Sequence, residues 1–188
     1  MLAYIMNYVS IIAALAGIAY ITWYGFFCKH ENGGKWLPNY SASYRLFYKN
    51  GKPYNWGIYA CTIAGLFLLS AWNFSVASWY QTVFMVLVAF YLMAVGCFPG
   101  VGGVQSKLHI YAVKFCILFA VAWLLTQPWV AYTAIPIPLV LYIIMSKKYP
   151  EGEGLFVEWM AFCMAYLATI ALAIYAFVLY LKTNKMPF

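Results

Sequence analysis

Residues 155–181 read LFVEWMAFCMAYLATIALAIYAFVLYL, and the only charged side chain among them is Glu158. A helix needs about 20 apolar residues to cross the roughly 30 Å hydrocarbon core of a bilayer. This run exceeds that length and contains neither Gly nor Pro. Lipid offers no partner to backbone N–H and C=O groups, so a stretch of this kind reads as a spanning helix that satisfies them internally.

Five similar runs precede it, at 2–27, 56–72, 80–98, 108–125 and 129–145. Between them lie turn and breaker residues: Asn73-Phe74-Ser75, then Pro99, Gly100, Gly102 and Gly103, then Gln127-Pro128, then the segment 147–154. The expected fold is therefore all-α, a bundle of six transmembrane helices forming a single polytopic domain over 1–188. The first run lacks the basic start of a signal peptide and is too long for one, so it reads as a retained span. Pro136 and Pro138 fall inside the fifth run and predict a kinked helix. One long polar loop remains, 28–55, with Gly33, Gly34, Pro38, Asn39, Gly51 and Pro53.

Composition agrees. Hydrophobic residues make up 66% of the chain and charged residues 8%, against about 25% charged in a soluble domain, which leaves no room for a separate soluble unit. The net charge of +7 sits between spans, where it sets orientation and attracts anionic lipid; nucleic acid is not an expected partner. Cys28, Cys61, Cys97, Cys116 and Cys163 are scattered without a CxxC pair, so neither a disulfide framework nor a zinc site is indicated. Cys28, beside Lys29 at a membrane edge, is a minor candidate for acylation. No nucleotide, metal or nucleophile-elbow fingerprint occurs, and no cofactor is implied.

The loops after the first, third and fifth spans share one side, which carries Lys29, Lys35, Arg45, Lys49, Lys52, Lys107, Lys147 and Lys148, while Lys182 and Lys185 lie on the other. The positive-inside rule makes the long loop cytoplasmic and places both termini opposite.

Ionisable groups in or at the edge of spans tend to face a bundle interior, and three qualify: His109, Lys114 and Glu158. His109 is followed by Ala112, Cys116 and Ala120, and Glu158 by Ala161, Ala165 and Thr169, at spacings of three, four and four that keep each set on one helical face. Stripes of small residues let helices pack closely, so both polar groups should point inward, near helix N-termini. Lys114 is about 140° around the helix from His109 and should face elsewhere. The inference is a polar cluster of His109, Glu158 and the loop segment 37–45, with Arg45, Lys107 and Trp159 as further ligand-binding candidates. The plainer reading is a Glu–His or Glu–Arg hydrogen bond that pins helix ends. Ser41 and Ser43 are weak candidates for a nucleophile with His109 as base and Glu158 in support.

Three landmarks, Leu37-Pro38-Asn39-Tyr40-Ser41-Ala42-Ser43, His109 and Glu158-Trp159, occur in an order that resembles the six-span superfamily of damage-regulated autophagy modulators and GPI-anchor-remodelling membrane proteins, with related short bacterial membrane proteins. That family's first loop carries a Pro-x-Ile-Ser segment followed by an acidic residue or Ala; here Tyr40 stands at the Ile position and Ala42 at the last. The resemblance implies a lipid-associated regulatory or trafficking role, with no shared enzyme activity, and termini on the cytoplasmic side, the reverse of the charge count.

The leading functional expectation is a non-enzymatic membrane protein with a polar pocket at one face for a lipid headgroup or protein partner. A channel, transporter or membrane-disrupting effector is the first alternative, and a Ser/His-dependent lipid acyl hydrolase or transferase the second. Membrane lipid is the expected partner, with a protein partner or a homo-oligomer beside it.

Overall fold

Each apolar run becomes a helix, and most are longer than the hydropathy pattern alone suggests. The computed structural model describes residues 2–52, 54–98 and 103–183. Helix α1 (Leu2–Glu31) leads to a short α2 (Ala42–Lys49), followed by α3 (Tyr54–Ser75), α4 (Trp79–Cys97) and α5 (Gly103–Leu125). A 3-10 segment (Trp129–Ala134), α6 (Pro136–Lys148), a single 3-10 turn (Pro150–Gly152) and α7 (Glu153–Thr183) complete the chain. Six segments are long and apolar enough to cross a membrane: Ile5–Glu31, Asn55–Ser75, Trp79–Cys97, Lys107–Leu125, Trp129–Lys148 and Pro150–Thr183. The protein is an all-α, multi-pass integral membrane protein. The breaks expected at Pro53 and at Pro99, Gly100 and Gly102 lie outside the described residues, as does Lys185.

Two local expectations change. The long loop contains α2, whose Ser43 and Phe47 are buried while Arg45, Tyr48 and Lys49 are exposed. The fifth span is interrupted rather than kinked: its first part winds as 3-10 helix and α6 starts afresh at Pro136. A proline at the first helical position gives up an N–H that would have had no partner anyway, and Pro138 still lies in that first turn, so neither ring breaks a bond within α6.

Helix α1 packs between α3 and α7, α4 joins α3 to α5, and α7 also carries α6 and the 3-10 segment. Together α1, α3, α4, α5 and α7 form an incomplete ring, because α5 and α7 scarcely touch. Polar ties fix the rest. At the face away from the long loop, Asn7 donates to the Ala173 carbonyl at 2.9 Å and accepts from Asn73 at 3.1 Å, joining α1, α7 and α3. Trp123 Nε1 donates to Ser75 Oγ at 2.9 Å, joining α5 to α3. Mid-bundle, the Tyr166 ring lies directly on Gly17, where any Cβ would overlap it.

At the other face the chain reverses after α1 through Gly33 and Gly34, both at positive φ (66° and 83°), with the Gly34 N–H returning to the Lys29 carbonyl at 2.9 Å. The returning segment buries Trp36 edge-on against Phe156, with ring centroids 5.1 Å apart, and Lys29 Nζ sits 4.5 Å from the centre of the Trp36 ring. It then passes so close to the start of α7 that a Cβ on Gly154 would run into the Pro38 carbonyl oxygen. Glycine at 154 lets residues 38–41 lie against α7, and the path of the site follows from that.

Candidate functional site

The ends of α5 and α7 each grip one residue of the same loop dipeptide. Glu158 Oε2 accepts the Tyr40 backbone N–H at 2.7 Å, and Ser41 Oγ lies 2.8 Å from His109 Nε2. The loop is further held by the Tyr40 hydroxyl, which donates to the Ile21 carbonyl of α1 at 2.9 Å, and by Asn39 Oδ1, which accepts the Ala42 N–H at 2.8 Å. Burial, with the Glu158 carboxylate nearby, pushes the Tyr40 phenol well above its ordinary pKa, so it remains a neutral donor. Tyr40–Ser41 therefore bridges α5 and α7 at the membrane face where the two helices otherwise stay apart.

The protonation of His109 follows from its second contact. Nδ1 is 2.7 Å from the Phe98 carbonyl oxygen, and a carbonyl can only accept, so Nδ1 carries the proton. With the proton on Nδ1 alone, Nε2 is an acceptor for the Ser41 hydroxyl. His109 is 8% exposed. Because α5 starts at Gly103, His109 lies beyond the first turn, past the reach of the helix dipole. Glu158 likewise lies past the first turn of α7.

Beneath this bridge lies a cavity of about 250 Å³ with overwhelmingly apolar walls. Tyr40, Ser41, Trp56, Tyr59 and Glu158 line it near the loop face, and Phe67, Trp123 and Leu124 line it deeper in the bundle. Its side is open between α5 and α7: Ile117 and Val121 line it, yet are 56% and 50% exposed. The small-residue stripes act differently from the close-packing expectation. Cys116 and Ala120 on α5 and Ala161 and Ala165 on α7 all line the cavity, so their small volume leaves space between the helices instead of drawing them together.

Trp56 and Tyr59 line this cavity with other parts of their side chains, while Trp56 Nε1 and Tyr59 Oη are buried away from it with no hydrogen-bond partner among the described residues. The residues are 3% and 2% exposed, the Trp56 ring centroid is 6.4 Å from that of His109, and Tyr59 stacks on Tyr24 at 3.8 Å. An unpaired buried donor costs about 1–3 kcal/mol, which makes the pair a feature that needs a reason.

Comparison with family models, with curated proteins and with solved structures finds no match. The site is accordingly read from its own geometry.

Of the residues singled out from sequence, Ser41, His109 and Glu158 come together, while the others do not join them. Among the described residues no bond links Glu158 to His109; each holds the loop instead. Ser43 is fully buried and 3.0 Å from the Tyr24 hydroxyl, a packing contact away from His109. Trp159 Nε1 donates to Thr22 Oγ1 at 3.0 Å and ties α7 to α1. Arg45 and Lys107 are exposed at the same membrane face and do not line the cavity, and Lys114 is exposed on the outside of α5. Cys28 is fully buried, which removes it as an acylation site. Among the described residues no three His, Cys, Asp or Glu gather to hold a metal ion. Trp56, Tyr59 and the Phe98 carbonyl went unread in the sequence; the spacing of Trp56, Tyr59, Ile63 and Phe67 along one face of α3 is the single signal that could have grouped the first two.

Proposed function

We propose that this protein holds one membrane lipid, with an acyl chain in the apolar cavity and the lipid's polar portion at Ser41, His109 and Glu158. The observation that carries the reading is a cavity that is apolar along its depth, polar only at the loop end and open sideways between α5 and α7. A lipid can enter such a space without leaving the bilayer. From His109 to Leu124, α5 runs roughly 22 Å at 1.5 Å per residue, the reach of a long acyl chain. A lipid-associated role is also what the six-span superfamily resemblance implies, and that membership is part of the proposal.

An ion or polar-solute pathway is less well supported, since pores select with rings of carbonyls or charged side chains and this cavity has neither along its walls. For orientation, we place the long loop in the cytoplasm on the strength of its basic residues; several of these, including Arg45, Lys49 and Lys107, are exposed at the mouth's face and would draw anionic headgroups.

Native mass spectrometry of the full chain released from mild detergent tests the reading. Bound lipid is expected on the wild type and should be lost when Ala120→Trp and Ala165→Trp fill the cavity. Equal lipid retention by a folded, filled variant would refute it.

A further inference from the structure

Lipid binding alone leaves three features of the cavity mouth unexplained. Ser41 Oγ lies 2.8 Å from Nε2 of a histidine whose other nitrogen is locked by a backbone carbonyl, and a base in that position raises the nucleophilicity of a hydroxyl. Ser41 itself lines the apolar cavity. Glu158 fixes the backbone one residue before Ser41, so the hydroxyl is held by its own main chain rather than by a mobile loop.

Resting on the lipid-holding reading above, we infer that the site transfers a fatty acyl group: Ser41 attacks the ester carbonyl of the bound lipid, with His109 as base. The Ser41 proton passes to His109 Nε2 as Oγ bonds to the carbonyl carbon. Negative charge moves onto the carbonyl oxygen as that bond forms. The carbonyl–alkoxy bond then breaks, the leaving alcohol takes the proton from His109, and an acyl ester remains on Ser41. Water entering at the membrane face, or a second alcohol, repeats the steps in reverse, giving its proton to His109 and leaving with the acyl group. The imidazolium formed in passing keeps its Nδ1–H on the Phe98 carbonyl, which plays the orienting part that a carboxylate plays in other serine–histidine sites.

This division of labour accounts for the chemistry of the wall. An acyl chain fills the apolar depth and its carbonyl lies at the level of Ser41. Ser43, bonded to Tyr24 behind the loop, takes no part.

Hexadecyl fluorophosphonate, an acyl-chain probe that reports activated serines, supplies the test. The full chain in vesicles of phosphatidylethanolamine and phosphatidylglycerol is treated with it and the adduct located by peptide mass spectrometry. An adduct on wild-type Ser41, absent from His109→Gln, is the expected result, with the fold of each variant checked by thermal unfolding. Wild-type protein that retains native lipid yet forms no Ser41 adduct would overturn acyl transfer and leave lipid holding intact. An adduct on Ser41 of protein that retains no lipid would overturn lipid holding and support the reactive serine.

Discussion

Glu158 on α7 and His109 on α5 hold adjacent residues of one loop, the first through the Tyr40 backbone N–H at 2.7 Å and the second through the Ser41 hydroxyl at 2.8 Å. The two helices are thus joined at the membrane face through a dipeptide and not through each other. Removing either grip frees the same segment, so their energetic effects should overlap.

Glu158→Ala should lower stability by about 1–3 kcal/mol by leaving the Tyr40 N–H without its acceptor, and His109→Ala should act in the same direction. The double variant should lose less than the sum, with a coupling of about 0.5–3 kcal/mol. Thermal or denaturant unfolding in detergent measures the cycle; strict additivity would show that the loop does not transmit the interaction.

Gly154→Ala sets a Cβ against the Pro38 carbonyl oxygen and should cost about 1–3 kcal/mol through overpacking, displacing Tyr40 from Glu158. Gly65→Ala makes the informative comparison, because nothing lies near a Cβ added there and alanine in a helix interior is favoured by about 0.5–1 kcal/mol. A fall in melting temperature for the first, with none for the second, is the expected pair of results.

Asn7→Leu should loosen the far end of the bundle, where Asn7 bonds both Ala173 and Asn73. Losing two bonds at a buried junction should cost about 1–3 kcal/mol, read as faster hydrogen exchange in the first turns of α1, with the serine–histidine contact unaffected. Unchanged exchange there would mean that lipid or water replaces the side chain.

A single cysteine at Lys49→Cys, in a background lacking the exposed Cys61 and Cys97, should resist membrane-impermeant maleimide applied outside intact cells and react after permeabilisation. Prompt external labelling would reverse the orientation.

The six spans were legible because hydropathy alone forces them: runs such as 155–181 have no other stable place. The inward direction of His109 and Glu158 was legible for a related reason, since small residues mark their faces. Their actual partners were not, because these depend on the path of the 36–41 segment, which is set by Trp36 burial and by the room that Gly154 leaves, neither of which has a periodic signature. Helix α2 was hidden because eight residues flanked by breakers look like loop, and the fifth span's break because two prolines are compatible with either a kink or a fresh start. Trp56 and Tyr59 carry no signal that separates them from the many rings that sit at the interfaces of a membrane protein; only tertiary packing shows their polar ends buried and without partners among the described residues.

The ring nitrogens of His109 offer the most direct check on the whole account. In protein labelled with ¹⁵N at histidine and carrying His30→Gln to leave one ring, the spectrum at neutral pH should report protonation at Nδ1 and an acceptor nitrogen at Nε2, with the Nε2 signal shifting in Ser41→Ala. A ring protonated at Nε2, or one indifferent to the loss of the Ser41 hydroxyl, would contradict the contact on which the site is built.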